Sequence, residues 1–187
     1  MAEQILVGIA LPVPDPWRAL LGSVRCALGD PLGEVVPAHV TVLPPTWVRP
    51  AQLPGLVRHA RSVAAAWAPI TVELDGVETF LPDSDVVYAR LTSGADECAG
   101  LAAGLGSGPV TVRPTYPFHA HVTIAHHCGP AALKRALVLL SGFRARFDLA
   151  ELLVSISAGS LTEWTAVQRI SFNPAPIATA LSAGWSR

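Results

Sequence analysis

His39-Val40-Thr41-Val42 and His121-Val122-Thr123-Ile124 are one pattern written twice, 82 residues apart in a chain of 187. With only six histidines in the chain, a chance recurrence of His-Val-Thr is rare. Each copy reads as a β-strand. Side chains alternate along a strand, so His39 and Thr41 share one face while Val40 and Val42 take the other. In the same way His121 and Thr123 share a face, and Val122 and Ile124 turn into apolar packing. Each copy thus sets an imidazole beside a hydroxyl on one face and commits the opposite face to a core.

The chain around the two copies has the same order of elements in both halves. An apolar strand opens the chain and ends near Pro12 and Pro14. Asp15-Pro16-Trp17 predicts a helix N-cap followed by proline at the first helical position. Trp17, Leu20, Leu21, Val24 and Leu28 then recur at helical spacing, and Gly29 stops the helix. The first motif lies in a strand predicted over Val35–Leu43 and closed by Pro44-Pro45. A helix over about 51–67 and strands over Ile70–Phe80 and Val86–Leu91 follow, the strands joined by a turn at Pro82-Asp83-Ser84-Asp85. The second half reads as a helix over Asp96–Leu105, a strand over Phe118–His126 and a helix over Ala131–Leu140. Strands over Phe147–Ser157 and Trp164–Phe172 end it. A duplicated unit is expected, with no low-complexity linker between the halves. The pattern predicts an α+β fold in one domain, residues 1–187. That fold is bilobal: two antiparallel β-sheets face a central cleft, helices cover their outer faces, and a pseudo-twofold axis relates the halves. Such a cleft is a natural small-ligand site.

Composition narrows the function. The chain is 51% hydrophobic and 14% charged, with a formal net charge of −1. That apolar content supports a sizeable core and excludes extensive disorder. Near-neutral charge argues against coating long nucleic acids, which calls for a basic surface. Cys26, Cys98 and Cys128 are scattered and form no CxxC pair, so free thiols in a reducing compartment are expected. The N-terminus lacks a basic leader region, and no apolar run reaches the roughly 18 residues of a membrane span. A cytoplasmic location and no membrane contact are expected.

Two imidazoles converging from opposite sides of a cleft suit displacement at phosphorus. Neutral imidazole takes a proton from the attacking oxygen, while imidazolium protonates the departing one. Histidine titrates near pH 6.5, so both forms are accessible near neutrality. The threonine hydroxyls are suited to the non-bridging phosphate oxygens. Neither a metal nor an organic cofactor is required by this arrangement.

These residues resemble the 2H phosphoesterases, specifically the 2′-5′ RNA ligase or RNA 2′,3′-cyclic phosphodiesterase branch. The resemblance runs over nearly the whole chain, through the opening strand, Thr79-Phe80 before a turn, Val86-Val87-Tyr88 and Trp164. It implies an enzyme in which His39 and His121 are the acid/base pair and Thr41 and Thr123 bind phosphate. It also implies opening of 2′,3′-cyclic phosphates to 2′-phosphates, or action on 2′-5′ linkages in RNA. The partners would be RNA ends or small cyclic nucleotides, and a monomer is the default. The chain departs from the family twice. Ala120, preceded by His119, stands where proline often precedes the second motif, and His126 stands where several relatives carry arginine.

His126 and Tyr116 are the expected substrate-binding residues outside the motifs, Tyr116 by stacking on a base. Phe118 is read as core, Arg113 as a loop charge able to meet phosphate, and His59 as part of a solvated helix face. Two other functions compete. One is a non-catalytic module for RNA ends or nucleotides. The other is metal-dependent hydrolysis through His119, His121, His126 and His127, which leaves the His39 copy unexplained.

Overall fold

The computed structural model describes residues 3–112, 114–160 and 162–173. The readings for Arg113 and for the tail from Pro174 lie outside the described residues. Strand β1 (Ile5–Pro12) leads to helix α1 (Trp17–Ala27) and strand β2 (His39–Val48). A 3₁₀ turn (Pro50–Gln52) introduces α2 (Leu53–Ala64), followed by β3 (Ile70–Thr79), β4 (Val86–Ser93) and α3 (Ala95–Gly106). The described residues continue with β5 (His121–His126), α4 (Pro130–Leu139), β6 (Arg144–Leu149), β7 (Glu151–Ser157) and β8 (Thr165–Ser171).

The strands form two four-stranded sheets, ordered β2-β1-β7-β8 and β5-β4-β3-β6, antiparallel throughout. The α+β architecture of two antiparallel sheets with covering helices is as expected. Each sheet takes two strands from each half of the chain. The repeat therefore starts at β4, one strand before the helix that the sequence suggests: β1-α1-β2 corresponds to β4-α3-β5. In both repeats the motif strand is an outer strand of its sheet.

Alternation explains the layers. Val7, Ile9 and Leu11 on β1, Val40 and Val42 on β2, and Val122 and Ile124 on β5 are almost fully buried. They join Leu56 and Ala60 of α2, Leu101 and Leu105 of α3, and Leu133 and Ala136 of α4 in one apolar cluster. Helix α2 lies against β7 and β8, and α4 against β3, β4 and β5. Trp17 and Trp67 pack against this cluster, Trp17 edge-on to Phe143 at 6.0 Å. Among the described residues, no helix is long and apolar enough to cross a membrane.

Four local expectations are corrected. First, β2 starts at His39, because the Val35 and Val36 amides bond back to the Leu32 carbonyl in a turn. It then runs through Pro44 and Pro45, which an outer strand accommodates because one side of its backbone has no ladder to complete. Second, β5 begins at His121, and Phe118 is exposed rather than packed in the core. Third, the run predicted over Phe147–Ser157 is two strands broken at Ala150, one for each sheet. Fourth, Asp15 makes no cap: Pro16 is the N-cap of α1, and Asp15 pairs with Arg18 instead.

Candidate active site

Both motif histidines sit at the first residue of an outer strand, and β2 and β5 approach one another between the two sheets. Cross-strand partners show which residues share their faces. Pro12 lies opposite His39 and Ala10 opposite Thr41. Arg90 lies opposite His121 and Tyr88 opposite Thr123. The site is therefore floored by small uncharged residues on one sheet and by an aromatic and a cation on the other. Trp164 packs close to Gly8 of β1, its ring 3.5 Å from where a Cβ would stand.

A bulge follows each motif at the same place. Thr41 and Leu43 pair with consecutive residues Ala10 and Ile9, leaving Val42 extra. Thr123 and Ala125 pair with Tyr88 and Val87, leaving Ile124 extra. A bulge shifts the phase of a strand by one residue. Strict alternation would turn His126 away from His121. Instead His126 lies opposite Val86 and shares the face of Tyr88 and Thr123.

The two rings are held by one device. His39 Nδ1 lies 2.7 Å from the Pro37 carbonyl oxygen, and His121 Nδ1 lies 2.8 Å from that of His119. A carbonyl only accepts, so Nδ1–H donates in both, and Nε2 is left as the reactive nitrogen. His39 Nε2 is 3.1 Å from Thr41 Oγ1, so this hydroxyl shares the reactive nitrogen.

Burial holds His39 below the usual imidazole range, against the pull of the Pro37 carbonyl, and the Arg25 guanidinium adds to the depression. Burial also lowers His121, opposed by the His119 carbonyl, and charge on His119, His39 or His126 lowers it further. His126 is lowered by burial and by His127, while Asp30 and Asp85 act in the opposite direction. Burial at this site thus favours neutral imidazoles.

Behind His39 lies a buried ion pair that the sequence reading missed. Arg25 Nε donates to Asp30 Oδ2 at 2.9 Å and Arg25 Nη1 to the Val36 carbonyl at 2.7 Å. Asp30 Oδ1 accepts the Leu32 amide at 2.9 Å. The pair braces the loop between α1 and β2, ending one residue before the carbonyl that orients His39. A signal did exist: Leu21, Arg25 and Leu28 follow core spacing on one helical face, and a charge at a core position needs a buried partner.

His121 is walled by aromatic rings. Phe80 and Tyr88 stack at 4.2 Å, and the His121 ring stands edge-on to both, at 5.0 and 5.5 Å. His119 makes similar contacts with the same two rings, its centroid 6.2 Å from that of His121. Tyr88 donates to Glu78 Oε2 at 3.1 Å, and burial with this bond pushes the phenol up to about 12. Glu78 also pairs with Arg90 at 3.3 Å.

The structure thus places His39 and Thr41 on one face of β2 and His121, Thr123 and His126 on one face of β5, a neighbouring strand, with His39 near enough for its charge to lower His121. Tyr116 lies on the loop before β5: it is exposed, and its hydroxyl donates at 3.4 Å to the Asp83 carbonyl in the β3–β4 turn, which begins at Phe80. His59 is not on a solvated face, since its Nε2 meets the Gly104 carbonyl at 2.9 Å and ties α2 to α3. His126 and His127 stack at 3.5 Å, and among the described residues no three His, Cys, Asp or Glu side chains are placed to share a metal ion.

Comparison with known proteins identifies relatives. A provisionally named phosphoesterase of Bacillus licheniformis is 30% identical over 96 residues, 51% of this chain and 56% of its own length. Another from Halalkalibacterium halodurans is 28% identical over 120 residues, 64% of this chain and 69% of its own length. The matched segment thus spans little more than half of the first relative. In fold, the chain resembles Escherichia coli LigT, crystallised with NADP+, at a TM-score of 0.70 and 21% identity, covering 91% of this chain and 99% of LigT. It also resembles a Thermus thermophilus protein at a TM-score of 0.63 and 20% identity, covering 91% and 100%. The family model of the 2′-5′ RNA ligase superfamily matches residues 12–159, a span that contains both His-x-Thr motifs, and the chain belongs to that superfamily of 2H phosphoesterases.

Proposed function

We propose that this protein is a metal-independent phosphodiesterase that opens 2′,3′-cyclic phosphates to 2′-phosphates, with His39 and His121 as its acid/base pair. The observation that carries this reading is the matched anchoring of two imidazoles on facing strands, each with Nδ1–H on a carbonyl and Nε2 left for chemistry. One neutral Nε2 accepts a proton from water as its oxygen bonds to phosphorus. The other ring, protonated, delivers its Nε2 proton to the 3′-oxygen as the P–O3′ bond breaks. Thr41 and Thr123 hold the non-bridging oxygens, and His126 contributes a further donor from the same face. The phosphate's negative charge offsets the burial that keeps the free site neutral, which allows one imidazolium in the complex.

The phosphate-bearing ligands found with LigT, among them 3′-AMP, ATP and phosphate itself, support a phosphate-centred site. Tyr116, exposed on the loop before β5 and bonded to the turn that follows Phe80, is the contact for a base. The test is hydrolysis of a nucleoside 2′,3′-cyclic phosphate with and without EDTA, resolving 2′- from 3′-phosphate. Chelator-resistant formation of the 2′-phosphate is expected. Binding without turnover would replace this reading with a nucleotide-binding module, and loss of activity in EDTA would refute metal independence.

A further inference from the structure

The strand faces that flank the two histidines carry a charge pattern that bears on substrate size. On the sheet of His121, the site face continues from Arg90 and Tyr88 on β4 to Glu78, Asp75 and Glu73 on β3. It then reaches Arg144, Arg146 and Asp148 on β6. With strands about 4.8 Å apart, this surface extends about 14 Å from the motif strand. Each of its arginines is matched to a carboxylate: Arg90 to Glu78 at 3.3 Å, Arg144 to Asp75 at 3.1 Å and Arg146 to Glu73 at 3.1 Å. Asp148 accepts the Thr71 hydroxyl, at 2.7 Å. On the sheet of His39, Arg169 lies opposite Leu153, which itself lies opposite Ala10, and it pairs with Glu151.

The described strands therefore place four arginines and five carboxylates on the faces beside the site. Arg58, Arg61, Lys134 and Arg135 belong to α2 and α4, which cover the opposite faces. Exposed ion pairs of this kind are individually weak, so a phosphate is able to displace a carboxylate. The displaced carboxylate would still stand beside that phosphate, and the repulsion cancels the gain. Polynucleotide binding needs cations that release counterions when they meet successive phosphates. Among the described strand residues, this surface offers none in surplus.

Building on the phosphodiesterase reading, we infer that the cleft takes a small nucleoside cyclic phosphate and lacks a track for a continuing RNA backbone. The paired carboxylates on β3 act as the brake against long RNA.

The experiment compares cytidine 2′,3′-cyclic phosphate with a ten-residue oligocytidylate ending in the same group, from 50 to 300 mM salt. Binding of a dye-labelled oligocytidylate 3′-phosphate is measured alongside, so that one readout is independent of turnover. Expected is a kcat/KM for the oligonucleotide within about threefold of the mononucleotide. Its log Kd against log salt should have a slope near −0.7, about the value for one phosphate on a single strand. The double variant Glu73→Gln/Asp75→Asn frees Arg144 and Arg146. It should raise oligonucleotide affinity and steepen the slope towards about −2, with mononucleotide turnover unchanged.

A wild-type preference of tenfold or more for the oligonucleotide, with a slope of −2 or steeper, would overturn the inference. So would a double variant indistinguishable from wild type. Binding as expected without hydrolysis of either substrate would defeat the phosphodiesterase reading while leaving the size limit in place.

Discussion

Replacing Arg25 separates stability from positioning at His39. Arg25 is 3% exposed and Asp30 buried, so Arg25→Met leaves a carboxylate in the interior with, among the described residues, the Leu32 amide as its remaining donor. It also strips the Val36 carbonyl of its 2.7 Å partner. Breaking one side of a buried ion pair costs about 3–5 kcal/mol. Two lost charge-assisted bonds at roughly 1.5–3 kcal/mol each sum to about 3–6 kcal/mol, which overlaps that range. At about 2–4 °C per kcal/mol for a chain of this size, Tm should fall by roughly 6–20 °C. The double replacement Arg25→Met/Asp30→Leu removes both charges and should recover most of that loss, since apolar replacement of a buried pair is often neutral. It does not restore the brace on Val36, so the Pro37 carbonyl and the His39 ring stay loose. A misplaced acid/base group at this level costs about 10- to 100-fold in kcat/KM, or about 1.4–2.7 kcal/mol. The assays are thermal unfolding by circular dichroism and hydrolysis of a 2′,3′-cyclic nucleotide. A double variant that regains both wild-type stability and wild-type kcat/KM would refute the argument that the pair positions His39.

The other predictions concern the rings themselves. His39→Ala and His121→Ala should each lower kcat by about 10²–10⁴ with an unchanged far-ultraviolet spectrum, the contribution typical of a positioned acid or base. A folded variant with full turnover would remove that histidine from the mechanism. His39 and His121 have lowered basicity in the fold, so between their folded values and the unfolded value near 6.5 the unfolded chain binds more protons. Their stabilising effect is present above pH 6.5 and is lost as pH falls through the folded values. Thermal unfolding between pH 7.5 and 5 should show Tm declining and inorganic phosphate restoring part of it; a flat or rising profile contradicts the assignment. Tyr88→Phe keeps the stack on Phe80 but loses the bond to Glu78, at about 0.5–1.5 kcal/mol of stability and little change in kcat. Tyr88→Ala removes one wall of His121, and a larger fall in kcat than in Tyr88→Phe is the expected kinetic signature.

Features that depend on near neighbours and on repetition are readable along the chain. The pairing of His39 with Thr41, and of His121 with Thr123, follows from strand alternation over three residues, which no distant contact alters. Gly29 after α1 stands at φ +80, a left-handed position for which glycine pays no Cβ penalty, so that helix end was legible too. The duplicated motif also pointed to two related units meeting at a cleft.

Only the tertiary structure decided how those units are assembled. Phe147–Ser157 reads as one strand because a run of alternating residues looks the same whether it serves one sheet or two. Its break at Ala150 is set by β3 and β1 competing for its two parts. Pro44-Pro45 signals a strand end locally, yet the outer position of β2 removes the reason to stop. The bulge at Ile124 brings His126 onto the site face, a register effect created by pairing with β4. His59 looks solvated on its own helix until α3 supplies the Gly104 carbonyl. Local chemistry and periodicity are written in the chain, whereas partner, register and burial are settled only when remote segments compete for the same hydrogen bonds and the same core.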